Sequence, residues 1–200
     1  MTDAVVEPVS DGRRARRERN RTAVIDAMFA LLAEGHFPPS VDEVAERAGV
    51  SVSSVFRYFD SLDDLQQETI ERYFERFAHL FVLPELEDGG LDDRIEALAD
   101  ARLDLWESIA PIGRMARARA GDQPRIAASL LDTRRFLCQQ LRGHFAPDLR
   151  GRTAGDAEER VALVDTLTAF EAWDLLHATH EWSRPRIRRA WLTGIRAVLD

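Results

Sequence analysis

The chain has 200 residues, 45% of them apolar, and carries a formal net charge of −8 from 27 basic and 35 acidic side chains. This composition suits a packed core, and no run approaches the roughly 18 apolar residues of a membrane span or the apolar core of a signal peptide. We therefore expect a globular, cytoplasmic protein in which the single Cys138 is a small core residue without a disulfide partner.

Positive charge is concentrated near the N-terminus. Residues 1–12 lack any period and predict a disordered tail, whereas residues 13–21 (RRARRERNR) carry six arginines and one acid. A first helix is predicted from Arg13 or Arg17 to Glu34. Its arginine run is either a solvated charged arm or a phosphate-binding segment. The rest of the chain is acidic, which favours solubility.

The next stretch, Ser40–Phe59, predicts two short helices joined by a tight turn. Ser40 and Glu43 form a capping box, apolar residues follow at helical spacing, and Gly49 is free to take the positive φ that ends the helix. Ser51 is the next N-cap, and Val50 can pack on the following helix as a hydrophobic staple. This order is the helix-turn-helix pattern.

The second of these helices carries the functional signal. Its inner side is predicted to comprise Val52, Val55, Phe56 and Phe59, and its outer side Ser53, Ser54, Arg57 and Tyr58. Short hydroxyls with a cation and a phenol suit a helix that enters the major groove of DNA. An ordinary surface helix is the alternative.

The segment from Arg21 to Leu65, above all GVSVSSVFRYFDSLDDL at 49–65, resembles the DNA-binding domain of the TetR family of bacterial transcriptional regulators. The resemblance rests on Ser40, on AERAGVS at 45–51, on VFRYF at 55–59, and on Ser61 with Leu65. It implies binding to a palindromic double-stranded operator, with Arg17 and Arg21 near the DNA backbone. The expected DNA-contacting residues are Arg17, Arg21, Ser40, Ser51, Ser53, Ser54, Phe56, Arg57 and Tyr58.

Two residues depart from the family pattern. Leu62 stands where a phosphate-gripping lysine is usual, and Phe56 replaces a frequent tyrosine, so one phosphate contact and one hydroxyl contact are expected to be missing. Phe56 either presses on a thymine methyl or packs half-buried against the first helix. The sequence leaves both open.

The remainder predicts helices alone. A fourth helix is capped by Ser61 and ends near Pro84; a fifth ends at Pro111; a short sixth, GRMARARA, ends at Gly121; and a seventh runs from Asp122 towards Pro147. An eighth spans about Asp156 to Trp182, and a ninth begins at Ser183. The predicted fold is all-α with about nine helices, divided into a tail (1–12), a DNA-binding domain (13–60) and an effector-binding and dimerisation domain (61–200).

The resemblance implies a homodimer formed by the last two helices and a pocket for a small-molecule effector. The expected dimer-interface residues, which could alternatively be monomer core, are Val161, Ala162, Ala169, Ala172, Trp191 and Ile195. The expected pocket residues, each of which could likewise be plain core, are Phe77, Phe81, Trp106, Met115, Phe136, Phe170, Trp173 and His177. Arg114, Arg117 and Arg119 are either readers of an anionic ligand or a solvated face.

Metal and catalytic chemistry are not predicted. His177 and His180, with Asp174 and Glu181, have helical spacing, but helical metal pairs favour i, i+4 and no third ligand is identifiable. There is no Gly-x-Ser-x-Gly turn, Gly-rich phosphate loop or HExxH, so we expect no enzyme and no cofactor.

The sequence thus predicts a repressor released from its operator by a small molecule. Two alternatives stay open. One is a DNA-binding helical protein controlled by a protein partner, and the other is an all-α ligand-binding or enzymatic protein whose helix-turn-helix is vestigial.

Overall fold

The structure, a computed structural model, describes residues 9–86 and 89–200. All regular secondary structure in these ranges is helical, and the predicted all-α fold is confirmed. Residues 1–8 of the expected tail lie outside the described residues, and a helix already begins at Val9, earlier than predicted. No helix in the described ranges combines the length and the apolar character needed to cross a membrane.

The chain divides into two compact units, Met1–Arg72 and Tyr73–Asp200. The first contains α1 (Val9–Ala33), α2 (Val41–Ala48), α3 (Val52–Tyr58) and most of α4 (Leu62–Arg76). The sequence instead placed the whole of α4 in the second domain. The boundary between the two structural units lies within α4, and on the first unit's part of this helix Glu68 forms an ion pair with Arg21 of α1.

The core of the first unit uses the predicted apolar stripe of α1. Val24, Ile25 and Met28 are fully buried, and α1 packs against both α2 and α3. Val44 on α2 and Val55 on α3 are buried as well. The stripe therefore braces the two short helices, neither of which is long enough to be stable alone in water.

The second unit begins with the end of α4 and a 3₁₀ turn, Ala78–Phe81. It continues through α5 (Leu91–Arg119), α6 (Pro124–His144), α7 (Ala154–Thr168), α8 (Phe170–Asp174) with a π-helical extension at Leu175–Thr179, and α9 (Arg184–Leu199). The predicted fifth and sixth helices are one helix, α5, with Pro111 inside it. Proline removes only one hydrogen bond, and burial of Ile109, Ile112 and Met115 on both sides of it keeps the helix continuous.

The predicted eighth helix is interrupted. Ala169 is extended (φ −64°, ψ 157°), which separates α7 from α8. The indole nitrogen of Trp106 donates a 2.8 Å hydrogen bond to the Thr168 carbonyl, which the interruption would otherwise leave without a partner. The Phe170 ring lies so close to Gly113 that a Cβ there would be 2.8 Å from Cε2. Long-range packing on α5, which has no local signal, therefore fixes the break.

Helices α7 and α9 pack on each other within one chain, which corrects part of the expected dimer interface. Val161, Trp191 and Ile195 are buried in this packing and belong to the protomer core. Ala169 and Ala172 line a cavity inside the second unit, and Ala162 alone of the six expected residues is exposed. Apolar residues on one face of a helix can pack either in the core of their own chain or in a dimer interface. Helical periodicity is the same in both cases, so it could not distinguish the protomer core from the dimer interface.

Candidate nucleic-acid interface

The start of α2 is fixed by the predicted capping box. The Ser40 hydroxyl accepts from the backbone N–H of Glu43, and the Glu43 carboxylate accepts from the Ser40 N–H at 2.8 Å. His36 Nδ1 lies 2.8 Å from the other carboxylate oxygen. The hydrogen bonds from the side chain and backbone of Ser40, followed by that from His36, lower the pKa of Glu43 to about 2. The box is therefore ionised and complete at neutral pH.

The turn between α2 and α3 depends on a glycine. Gly49 is left-handed (φ 66°, ψ 32°), and its N–H and that of Val50 bond back to carbonyls in the last turn of α2. This is the Schellman arrangement, in which a Cβ at the left-handed position is unfavourable. It sets the angle at which α3 leaves α2.

Three serines gather at the start of α3. The Ser51 hydroxyl accepts from the Ser54 N–H at 3.2 Å, and it lies 2.9 Å from the Ser53 hydroxyl and 3.0 Å from that of Ser54. Ser51 is thus the predicted N-cap. These small hydroxyls leave the first turn of α3 uncovered, and each can re-orient to donate to a phosphate or a base edge.

The exposed face of α3 differs from the predicted one at two aromatic residues. Tyr58 is buried together with Val55, whereas Phe56 is 48% exposed. At 100° per residue, Tyr58 is nearer than Phe56 to the direction of Val55, and contact with α1 selects that side as the inner one. About half of Phe56 is accessible, so its contact with a thymine methyl stays a prediction. The ring is accessible to a partner.

Tyr58 instead organises the junction of α1 and α3. Its hydroxyl accepts from Asn20 Nδ2 at 3.1 Å and from Arg57 Nη2 at 3.2 Å. The hydrogen bond from Asn20, and then that from Arg57, lower the pKa of the phenol, with smaller contributions from the charges of Arg57 and Arg16. Its role in the structure is to position Arg57.

A groove of about 460 Å³ lies between the N-terminal part of α1 and the start of α3. Three arginines border it, and its lining comprises Arg16, Arg17, Asn20, Gly49, Val50, Ser51, Ser54, Arg57 and Tyr58. Arg17 Nη2 lies 3.4 Å from the Arg57 carbonyl, which brings the arginine run onto the end of α3. A concave surface with three cations and several hydroxyl and amide donors is suited to a phosphate group.

Arg16 lines the groove but was not among the predicted DNA-contacting residues. The only sequence signal was its membership of the arginine run, in which no position is distinguished from the next. Its selection depends on which side of α1 faces α3, and that is decided by the buried stripe on the same helix.

Another predicted contact residue, Arg21, is engaged within the first unit. Arg21 pairs with Glu68 and lies 5.2 Å from the centre of the Phe59 ring, so it holds α4 against α1. Ser61 caps α4 as predicted, accepting from the Asp64 N–H at 3.0 Å, and Leu62 is the first residue of that helix. Leu62 supplies no cation at this position.

The expected pocket residues separate into two groups. Phe81, Trp106 and Phe170 line a cavity of about 440 Å³ in the second unit. Phe77, Met115, Phe136, Trp173 and His177 do not line it. Met115 and Trp173 are core residues, Phe136 is exposed, and His177 stacks on Trp173 with ring centres 5.0 Å apart.

In the described part of the chain, no three His, Cys, Asp or Glu side chains are grouped so that they could hold a metal ion. Asp174 is instead paired with Arg114 at 2.7 Å. Arg117 is paired with Glu171 at 2.8 Å.

The capping box gives a direct test of how the first unit is built. We expect Ser40→Ala to lower the free energy of unfolding by about 1 kcal/mol, because an N–H at the start of α2 loses its acceptor. Urea denaturation followed by circular dichroism measures this, with Ser129→Ala, on the exposed side of α6, as the control. Equal midpoints for the two variants would contradict the proposed role.

The ionised Glu43 carboxylate also stabilises the folded state. This stabilisation should be fully present above the ordinary pKa of a glutamate and should be lost as the pH falls towards 2.

Comparison with known proteins agrees with this geometry. Residues 24–69 match the model for bacterial regulatory proteins of the tetR family. The HTH-type transcriptional repressor KstR of Mycolicibacterium smegmatis is 38% identical over 78 residues, a match that spans 38% of this chain and only 38% of that repressor.

Two solved structures extend the likeness in fold to nearly the whole chain. A transcriptional regulator from Rhodococcus sp. Rha1 is 24% identical, with a TM-score of 0.65, over 92% of this chain and 95% of its own. The multidrug binding protein EbrR, solved with imidazole, is 18% identical, with a TM-score of 0.61, over 92% of this chain and 93% of its own. At these identities the likeness shows the fold alone.

Proposed function

We propose that the chain, whose residues 24–69 match the tetR-family model, is a transcriptional repressor released from its operator by a small molecule. The observation that carries the proposal is the convergence of Arg16, Arg17 and Arg57 with the hydroxyls of α3 in one groove. Such a surface gives the charge for phosphate binding and leaves one helix face for bases.

Base reading is assigned to the exposed side of α3. Ser53, Phe56 and Arg57 are exposed there, next to the Ser51 cap. Arg57 can form a bidentate contact with a guanine, Ser53 can donate to or accept from base edges, and Phe56 can lie on a thymine methyl. Arg16 and Arg17 fix the register on the DNA backbone, while Ser53, Phe56 and Arg57 supply sequence preference.

A palindromic operator requires two copies of the chain about one DNA turn apart, roughly 34–36 Å. We assign the homodimer to the outward side of α7 and α9. Ala162, Leu163 and Thr166 are exposed on α7, and Leu163 is 54% exposed. On α9, Ala190, Thr193 and Ala197 are exposed and small, which allows close approach of a second copy.

Effector binding is assigned to the cavity in the second unit. The cavity lies in the size range of small-molecule sites, and its wall includes Phe74 on α4. Because α4 runs without a break from Leu62 to Arg76, a ligand that contacts Phe74 acts on the helix that also carries Glu68, the ion-pair partner of Arg21. Release requires that the ligand bind the DNA-free state more tightly, typically by about 1–3 kcal/mol.

The test is selection of duplexes from a random library by the full-length chain, followed by mobility-shift titration of the selected sequence. We expect a two-fold symmetric sequence, and Arg57→Ala should weaken binding about tenfold or more without changing the oligomeric state measured by light scattering. Arg135→Ala, an exposed arginine on α6, is the matched control. Recovery of no preferred sequence at moderate salt would refute the proposal.

A further inference from the structure

The cavity in the second unit contains a buried arginine that the rest of the wall does not neutralise. Arg102, on α5, is 2% exposed and lines the cavity. Its one described hydrogen bond is a 3.4 Å contact from Nη2 to the Leu137 carbonyl, and no carboxylate among the described residues forms an ion pair with it. Its other contact is with the Trp106 ring, whose centre is 5.8 Å away. A guanidinium that is buried with so few partners is costly unless an anion joins it.

One acid and two arginines of the wall pair with one another. Glu171 Oε1 accepts from Arg117 Nε at 2.8 Å and also contacts Arg134. Burial acts against ionisation of Glu171, but the Arg117 hydrogen bond holds its pKa below the ordinary value. Asp165 is half-buried; burial raises its pKa, and the positive charge of Arg102, with which it forms no hydrogen bond among the described residues, lowers it in part. Three arginines and two acids line the cavity, which leaves one positive charge in excess, and Arg102 is the one of these arginines without an ion pair among the described residues.

Arg102 remains a cation at neutral pH. Burial lowers its pKa to about 10, with a partly compensating effect from Asp165. Its planar group offers a fork of N–H donors that matches a carboxylate in a two-point contact.

Most of the remaining wall is apolar. The rings of Trp106 and Phe170 meet edge to face with centres 5.6 Å apart, and those of Phe74 and Phe81 are also 5.6 Å apart. Ile109, Leu130 and Leu137 complete this part of the lining. The wall therefore suits a hydrocarbon or aromatic body, and its two acids disfavour a group with more than one negative charge.

We infer that the effector is an amphipathic carboxylic acid, with a single carboxylate that pairs with Arg102 and an apolar body that lies against Phe74, Phe81 and Phe170. That the ligand acts as an effector rests on the proposed function. Its chemical class rests on the cavity alone. Arg102 is the residue that selects acids over neutral or basic compounds of the same size.

The test uses calorimetric titration of the full-length protein with octanoate and with 2-naphthoate. Octanol, octylamine and octyl phosphate, which also have eight carbons, serve as probes in which another head group replaces the carboxylate. We expect both acids to bind, and octanoate to bind about ten- to a hundredfold more tightly than octanol. Equal binding of octanol, tighter binding of octylamine or octyl phosphate, or no binding of either acid would overturn the inference.

Variants then assign the selectivity to one side chain. Arg102→Met keeps a similar volume and removes a poorly paired buried charge, so it should unfold at no lower a temperature than the wild type. It should bind octanoate at least about tenfold more weakly, with octanol unchanged, while Arg102→Lys falls between. Arg135→Met removes an arginine that is 70% exposed and should bind like the wild type. Unchanged octanoate binding by Arg102→Met would refute the assignment.

A mobility shift with the selected operator separates this inference from the proposed function. Protein that binds the operator but neither acid overturns the inference and leaves the function standing. Protein that binds acids through Arg102 but no DNA overturns the function and leaves the site standing.

Discussion

Replacing Arg16 and Arg17 together by alanine should lower operator affinity roughly 10²- to 10³-fold at about 0.15 M salt, because each protomer then lacks two phosphate-binding cations. Both side chains are exposed and line the groove beside α3. Since a dimer would bind about four fewer phosphates, the slope of log affinity against log salt should become shallower by about 4. Sequence preference should be retained, because Ser53, Phe56 and Arg57 are unchanged.

The matched control is Arg14→Ala with Arg19→Ala. These arginines lie on the same exposed helix and remove the same charge, but neither lines the groove. We expect this control to change affinity much less than the groove variant. If both double variants showed the same affinity and salt slope in fluorescence-anisotropy titrations, general electrostatics would explain binding and the groove would have no special role.

Replacement of Trp106 by alanine should lower the free energy of unfolding more than any of the other substitutions proposed. Trp106 is buried at 4% exposure and joins α5 to the end of α7 through its hydrogen bond to Thr168. Trp106→Ala should cost about 3–5 kcal/mol, because it leaves a large cavity in the core. Trp106→Phe keeps most of the packing and leaves the Thr168 carbonyl without a donor, at a cost of about 1–3 kcal/mol.

Urea unfolding followed by far-ultraviolet circular dichroism measures both values without relying on tryptophan emission. Trp182→Phe, at a partly exposed tryptophan that stacks on Arg186, should stay within about 0.5 kcal/mol of the wild type. If Trp106→Phe were as stable as Trp182→Phe, the hydrogen bond would not be what supports the interruption at Ala169.

The boundaries of α2 and α3 could be predicted from the sequence because local interactions determine them. The capping box at Ser40, the left-handed Gly49 and the N-cap at Ser51 involve residues within a few positions of one another, and the structure shows all three. Ser183 with Pro185 likewise begins α9 where predicted. Such signals depend on backbone hydrogen bonds within one turn, which the sequence specifies directly.

Tertiary contacts decided the rest. Contact with α1 turned Tyr58 inward and Phe56 outward, core packing carried α5 through Pro111, and the fit of Phe170 to Gly113 interrupted the predicted eighth helix.

The sequence by itself determined the all-α fold, the helix-turn-helix and the basic N-terminal run, because these follow from short-range periodicity and charge. Only the tertiary structure decided which arginines are available to bind. Arg21, Arg114 and Arg117 are held by carboxylates, whereas Arg102, which has the same chemistry and lies on an apolar stripe, is left inside a cavity without an ion-pair partner in the described chain. Whether an arginine forms an ion pair depends on which side chain, distant in sequence, lies next to it in the folded protein. Helical spacing contains no information about that.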